Sequence, residues 1–248
     1  TLFFGVPTMY RRLVDADDPD RLAAARLCVS GSAPMSPDLH RRVSAAAGQD
    51  VLERYGMTET VMLVSNPVDG ERRPGTVGVP LPGVDVRLEG APPEIQVRGP
   101  NVFAGYWQRE DANALAFTSD GWFRTGDLGE RDEAGYLRIT GRAKELIISG
   151  GYNVYPREVE DALRAHTAIE DAAVVGTPSE EWGEVVTAYV VGADVPPLDA
   201  LRAFLADHLA PYKRPRRLHV VDALPRNALG KVQKHLLSAP EPPEASAT

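Results

Sequence analysis

The strongest constraint on this chain is an alternation over its first 55 residues. Apolar runs at 2–6, 27–30 and 51–55 are separated by stretches of helical character at 7–14 and 37–47. Strands joined through helices cannot pair as hairpins, so the expected product is a parallel sheet covered by helices. Pro7 suits a first helical turn, where its missing N–H removes no bond. From about residue 75 the texture changes. Short β-like runs at 84–88, 94–98 and 136–139 are punctuated by Leu81-Pro82-Gly83 and Arg98-Gly99-Pro100, with one helix expected at 109–117. That pattern predicts a small antiparallel β unit. A third, compact α+β pattern follows. It has helices at 156–164, 198–209 and 232–237 and strands at 169–176, 185–191 and 217–221. Val159 and Leu163 fall on one helical face.

The fold class read from this is α/β: the later part of a large domain at 1–141, a hinge at 142–145, and a small mobile α+β domain at 146–238. The Pro-, Glu- and Ala-rich tail at 239–248 is expected to be disordered. The apolar run directly after Thr1 reads as a buried strand entering a loop, so preceding chain is expected.

Hydrophobic residues make up 43% of the 248, enough for a buried core. The net charge of -8 argues against a general nucleic-acid binder, which needs a basic face. No apolar run approaches the roughly 20 residues that span a bilayer, and no signal peptide is evident. Cys28 is the single cysteine, so no internal disulfide can form, which suits a cytoplasmic setting. Its place in Leu27-Cys28-Val29 marks it as a small buried hydrophobe.

Five separated segments carry chemistry. Val29-Ser30-Gly31-Ser32-Ala33-Pro34 is a strand running into a loop of small residues, where backbone can approach a flat base. Tyr55-Gly56-Met57-Thr58-Glu59-Thr60 offers an aromatic face, a hydroxyl and a carboxylate directly after a strand; the plain alternative is a helix start capped by Thr58. Trp122-Phe123-Arg124-Thr125-Gly126-Asp127 puts a carboxylate on a glycine-supported loop, or forms an ordinary turn. Gly141 to Val154 gives a basic stretch, an apolar strand and the pair Gly150-Gly151, or a linker and hairpin. Leu224-Pro225-Arg226-Asn227-Ala228-Leu229-Gly230-Lys231 lies near the end.

In order and spacing these segments resemble the adenylate-forming superfamily of acyl-CoA synthetases, peptide-synthetase adenylation domains and luciferases. The resemblance extends to about Leu237. It implies an AMP-forming acid–thiol ligase that uses ATP, Mg²⁺ and CoA. Gly31, Ser32 and Ala33 would line an adenine pocket with Tyr55 on the base, beside Gly56 and Met57. Thr58 would meet the α-phosphate and Glu59 would hold the metal. Asp127, assisted by Arg142, would bind the ribose hydroxyls. Lys144 occupies the hinge position, and Lys231 would act in adenylation. Ser149, Gly150 and Gly151 would face CoA after rotation of the small domain.

The segments Gly5-Val6-Pro7-Thr8-Met9-Tyr10-Arg11-Arg12 and 65–75 resemble the malonyl- and methylmalonyl-CoA synthetase branch, with Arg12, then Arg11, as partner for a second carboxylate. A medium- or long-chain fatty acid is the alternative substrate. An acyl carrier protein is the alternative acceptor, and a non-catalytic fragment remains a third reading. Two departures stand out. The family's Ser/Thr/Gly-rich phosphate loop is not found in this chain, and the connection from Leu88 to Ile95 is shorter than the family's.

Overall fold

The described residues up to Tyr55 fold as the alternation predicts. In a computed structural model describing residues 1–16, 22–227 and 230–237, β1 (Leu2–Gly5), β2 (Leu27–Ser30) and β3 (Leu52–Tyr55) run parallel, Phe3 beside Cys28 and Val29 beside Leu52. The helix α1 (Pro7–Asp15) follows β1, and α2 (Pro37–Ala47) lies between β2 and β3. Local signals set the limits of α2: Ser36 Oγ accepts from the Leu39 N–H at 3.2 Å, Pro37 occupies the first turn, and Gly48 ends the helix with a left-handed φ of 65°. Tyr10, Leu39 and Val43 pack on Cys28 and Val51. Burying a side chain the size of Leu39 contributes about 1.5–3 kcal/mol. Cys28 is wholly buried, and burial pushes its thiol pKa up, away from the thiolate.

Two strands escape the sequence patterns. β4 (Val64–Ser65) and β5 (Val79–Pro80) extend the sheet antiparallel, in the order β1-β2-β3-β4-β5. Two residues are too few to display a period.

The antiparallel unit comprises β6 (Asp85–Glu89), β7 (Glu94–Arg98), β8 (Phe123–Arg131) and β9 (Leu137–Arg142), paired in that order, with α3 (Glu110–Ala116) before β8. Ile95, Val97, Phe123 and Leu137 form its core. Residues 90–93 close the β6–β7 hairpin, with Glu89 opposite Glu94. The short connection noted in the sequence is thus a closed turn.

The chain divides into two compact units, Thr1–Ala143 and Lys144–Thr248. In the second, β10 (Ile147–Ser149), β11 (Tyr152–Val154), β12 (Asp171–Ser179) and β13 (Gly183–Val191) form a sheet in the order β11-β10-β13-β12, and β14 (Arg217–Val220) pairs parallel with β13. On it lie α4 (Pro156–Arg164), with Val159 and Leu163 buried, and α5 (Leu198–Phe204), with Leu201 buried.

Some expected elements need correction. The helix expected to reach residue 209 ends at Phe204 and tightens into a 3₁₀ turn at Leu205–Asp207, as helix ends commonly do. The helix expected at 232–237 is a single 3₁₀ turn, Lys234–Leu236. The tail at 239–248 lies outside the described residues. Among the described residues no helix is long and apolar enough to cross a membrane.

Candidate active site

The parallel strands β1–β3 end together at Gly5, Ser30 and Tyr55, and the chemistry-bearing loops leave from those ends. Carboxyl ends of parallel strands are where open α/β sheets take ligands. Gly31 follows β2 directly and faces Arg54 of β3. A Cβ on Gly31 would lie 2.6 Å from the Arg54 Cζ, so a larger residue there would force this guanidinium to shift. The Arg54 Nε is buried and bonds to no described residue. Sequence reading passed over Arg54, because an Arg in a strand carries no motif. Ser32, at a φ of 66°, and Ala33 are exposed beyond it.

The segment after β3 doubles back. Thr60 Oγ1 accepts from the Met57 N–H at 3.3 Å, the Thr60 N–H returns to Met57 O at 3.1 Å, and the Leu63 N–H reaches Tyr55 O at 3.0 Å. The alternative of a helix capped by Thr58 is therefore wrong. A tight turn satisfies the backbone instead, and Thr60 rather than Thr58 closes it. Gly56 is obligatory here, since a Cβ would lie 2.0 Å from the Val61 carbonyl oxygen. Thr58 is left exposed, free to meet a ligand.

A second layer supports the turn. The Asn101 amide nitrogen donates to Thr60 O and Met62 O, both at 2.8 Å, and the Phe103 N–H donates to Glu59 O at 2.8 Å. The Tyr106 hydroxyl donates to Glu59 Oε1 at 3.1 Å, holding the half-buried carboxylate. Asn101 and Tyr106 were also missed. The Arg98-Gly99-Pro100 signal before them was read only as punctuation.

Asp127 sits on a β-bulge. Gln96 pairs with Arg124 and Glu94 with Leu128, so Thr125-Gly126-Asp127 bulges out of the β7–β8 register. Gly126 supplies the left-handed φ of 69°, and its N–H donates to Glu94 Oε1 at 3.1 Å. The bulge aims the Asp127 carboxylate, 3% exposed, at two partners. Tyr55 donates its hydroxyl to Oδ2 at 2.6 Å, and Arg142, its cross-strand neighbour in β9, pairs with Oδ1 at 2.8 Å. Burial, then the negative charge of Asp127, raises the Tyr55 pKa well above the usual phenol range, so the hydroxyl stays a neutral donor. That hydroxyl is committed to Asp127. What Tyr55 offers a nucleotide is therefore its ring face. A carboxylate has about four acceptor sites, more than the two that Tyr55 and Arg142 occupy here.

The remaining expected residues, apart from Arg12, belong to the second unit. Lys144 is exposed in a 3₁₀ turn, Ala143–Glu145. Ser149 is buried at the end of β10, and Gly150-Gly151 turns the β10–β11 hairpin with φ of 57° and 81°. Two left-handed residues are what a type I′ two-residue hairpin turn requires. The Gly150 N–H donates to Trp182 O at 2.9 Å, and a Cβ on Gly150 would lie 2.5 Å from the Trp182 ring. Lys231 is exposed on a loop closed at its base by the Arg226–Val232 bridge. Its N–H donates to Asn227 Oδ1 at 2.9 Å. Arg12 is exposed on α1. Among the described residues no group of three or more His, Cys, Asp or Glu could hold a metal by itself. Glu59 stands as a single carboxylate, which fits an ion bound mainly by substrate phosphates.

Comparison with known proteins identifies the family. The model for AMP-binding enzymes matches residues 1–107, and that for the AMP-binding enzyme C-terminal domain matches 158–231. The chain belongs to the AMP-binding enzymes. It is 43% identical over 242 residues to the sulfoacetate–CoA ligase of Cupriavidus necator, covering 92% of this chain and 47% of that protein. It is 38% identical over 263 residues to the malonate–CoA ligase of Arabidopsis thaliana, covering 94% and 43%. The long-chain-fatty-acid–CoA ligase of Bacillus subtilis is also 38% identical, covering 96% and 45%. A crystal structure of ATP-bound MatB from Rhodopseudomonas palustris superposes with a TM-score of 0.90 at 44% identity, covering 96% of this chain and 50% of that one. The chain thus spans about half the length of the curated relatives it matches.

Proposed function

We propose that this chain forms part of an ATP-dependent acyl-CoA synthetase that activates a small acid bearing a second anionic group, malonate or methylmalonate first among them. The observation that carries the nucleotide reading is the buried Tyr55–Asp127–Arg142 assembly beside the Gly31 loop. Asp127 accepts the ribose hydroxyls, the face of Tyr55 and the Gly31-Ser32-Ala33 backbone receive the base, and Thr58 meets the α-phosphate. Mg²⁺ held by Glu59 would neutralise phosphate charge.

In the first half-reaction the substrate carboxylate attacks the α-phosphorus, and acyl-AMP forms as pyrophosphate leaves. Two anions must meet, so cationic stabilisation dominates the barrier. Lys231 supplies it. In the second half-reaction a thiolate attacks the acyl carbon and AMP leaves, with Ser149-Gly150-Gly151 receiving the pantetheine arm and Lys144 acting as the hinge. CoA is the proposed acceptor.

The acid is read from Arg54. A buried guanidinium nitrogen without a partner beside the Gly31 loop suits a carboxylate or sulfonate better than an alkyl chain. Two of the relatives are named for acids with two anionic groups, malonate and sulfoacetate. Arg54 therefore joins Arg12 as the partner of the distal anion.

The test is pyrophosphate exchange, run on the chain alone and after joining to it the preceding half of the Arabidopsis malonate–CoA ligase. Exchange should require the joined form and prefer malonate over octanoate. In that enzyme Arg54→Met should cut kcat/KM for malonate roughly 100-fold while changing that for octanoate little. Faster exchange with octanoate in the unaltered enzyme would sink the diacid reading.

A further inference from the structure

The second unit contains a charged cluster that the proposed reaction leaves unused. The Lys234 Nζ lies 2.6 Å from Glu160 Oε1 and 3.2 Å from Glu145 Oε2. Glu160, on α4, is 8% exposed and also accepts the Val174 N–H at 2.9 Å, so it is fixed in the core. Glu145 ends the 3₁₀ turn that contains Lys144. Lys234 opens the 3₁₀ turn three residues beyond Lys231.

The Lys231 loop is thus held at both feet. On one side the Arg226 guanidinium pairs with Asp171 and donates to Gly230 O. On the other, Gln233 N–H donates to Pro225 O at 2.8 Å, and Leu237 is buried against Ala173, Val175 and Leu224. The Lys234–Glu160 pair belongs to this second foot. The contact with Glu145 adds something else, a link from the loop to the turn holding Lys144.

We infer that Lys234 is a positioning residue that ties the Lys231 loop to the Lys144 turn through Glu145, so that a backbone change at Lys144 is felt at Lys231. This rests on reading Lys144 as the hinge and Lys231 as the adenylation lysine. Three partly buried charges can carry such a link, because they are screened less than surface pairs.

Glu145→Gln is the cleanest probe. It cuts the link and leaves the Lys234–Glu160 pair, whereas Lys234→Met strands a buried carboxylate and endangers folding. Amide hydrogen exchange on the chain comes first. Glu145→Gln should speed exchange roughly tenfold both at 143–146 and at 230–237, with the Tm nearly unchanged. Faster exchange confined to 143–146 would overturn the link.

Partial reactions in the joined enzyme come second. Pyrophosphate exchange should fall roughly tenfold at unchanged KM for ATP, while thioester formation from supplied acyl-AMP stays within about twofold. Lys234→Arg in the otherwise unaltered enzyme, which keeps the charge and both partners in reach, should leave the ratio of the two half-reactions unchanged. An equal fall in both half-reactions would mean a merely structural role. A joined enzyme without either half-reaction would instead overturn the functional reading, and the exchange result would still judge the link.

Discussion

Asp127 and Lys231 are both proposed to meet the nucleotide, yet the protein holds them in opposite ways. Asp127 is 3% exposed, aimed by a bulge and paired on both oxygens by Tyr55 and Arg142. Lys231 is exposed, and the bonds that fix it run through its backbone and the feet of its loop. A group that binds throughout a reaction gains from being pre-paired, since no reorganisation is then needed. A group required for one step gains from a side chain without a resident partner on a backbone that is held. The contrast predicts that the two residues separate stability from catalysis.

Lys231→Ala tests the exposed side of the contrast and carries the largest expected effect. Pyrophosphate exchange in the joined enzyme should fall on the order of 10²–10³-fold, with thioester formation from acyl-AMP retained. Its unfolding free energy should stay within about 0.5 kcal/mol of the unaltered chain. A marked drop in Tm would show that the side chain is structural after all.

Asp127→Ala tests the buried side. Leaving the Tyr55 hydroxyl and the Arg142 guanidinium without their carboxylate should cost about 1–3 kcal/mol in urea unfolding, and AMP binding should be lost with it. Full stability in this variant would break the comparison.

The smallest effect concerns the scaffold under the first site. His40 is 1% exposed, with Nε2 3.0 Å from Val51 O and Nδ1 3.3 Å from Ser44 Oγ. A carbonyl can only accept, so Nε2 carries a hydrogen, and in the neutral ring Nδ1 can accept from the Ser44 hydroxyl. Burial lowers its pKa below 6.5, partly offset by the Val51 bond. The unfolded chain then takes up the proton first. The His40 contribution is complete above pH 6.5 and declines as pH falls from there through the lowered folded value. His40→Gln should flatten that part of the stability profile by calorimetry. An unaltered slope would place the acid sensitivity elsewhere.

How legible each region was follows from its physics. The parallel sheet announced itself because three strand runs and two helices each exceed one period, and α2 carries its own cap and stop. Asp127 could be picked out because its bulge needs a glycine, which leaves Thr-Gly-Asp in the sequence. Arg54, Asn101 and Tyr106 could not. Each acts through a contact with a residue distant in sequence, Asn101 with Thr60 across 41 positions and Tyr106 with Glu59 across 47, and nothing local marks such a pairing. Lys231 was named through the Leu224–Lys231 segment and its family resemblance, whereas Lys234 lies beyond that segment and was not singled out. β4 and β5 were invisible for their brevity.

The four-residue turn at 90–93 has a practical corollary. It caps a hairpin whose register is already fixed by five facing pairs, from Asp85 with Arg98 to Glu89 with Glu94. Closing a longer loop there costs only about 0.6 kcal/mol for each doubling of its length. The tip is therefore a natural port: a fluorescent reporter or affinity module could be spliced in while the strands that carry Asp127 keep their alignment.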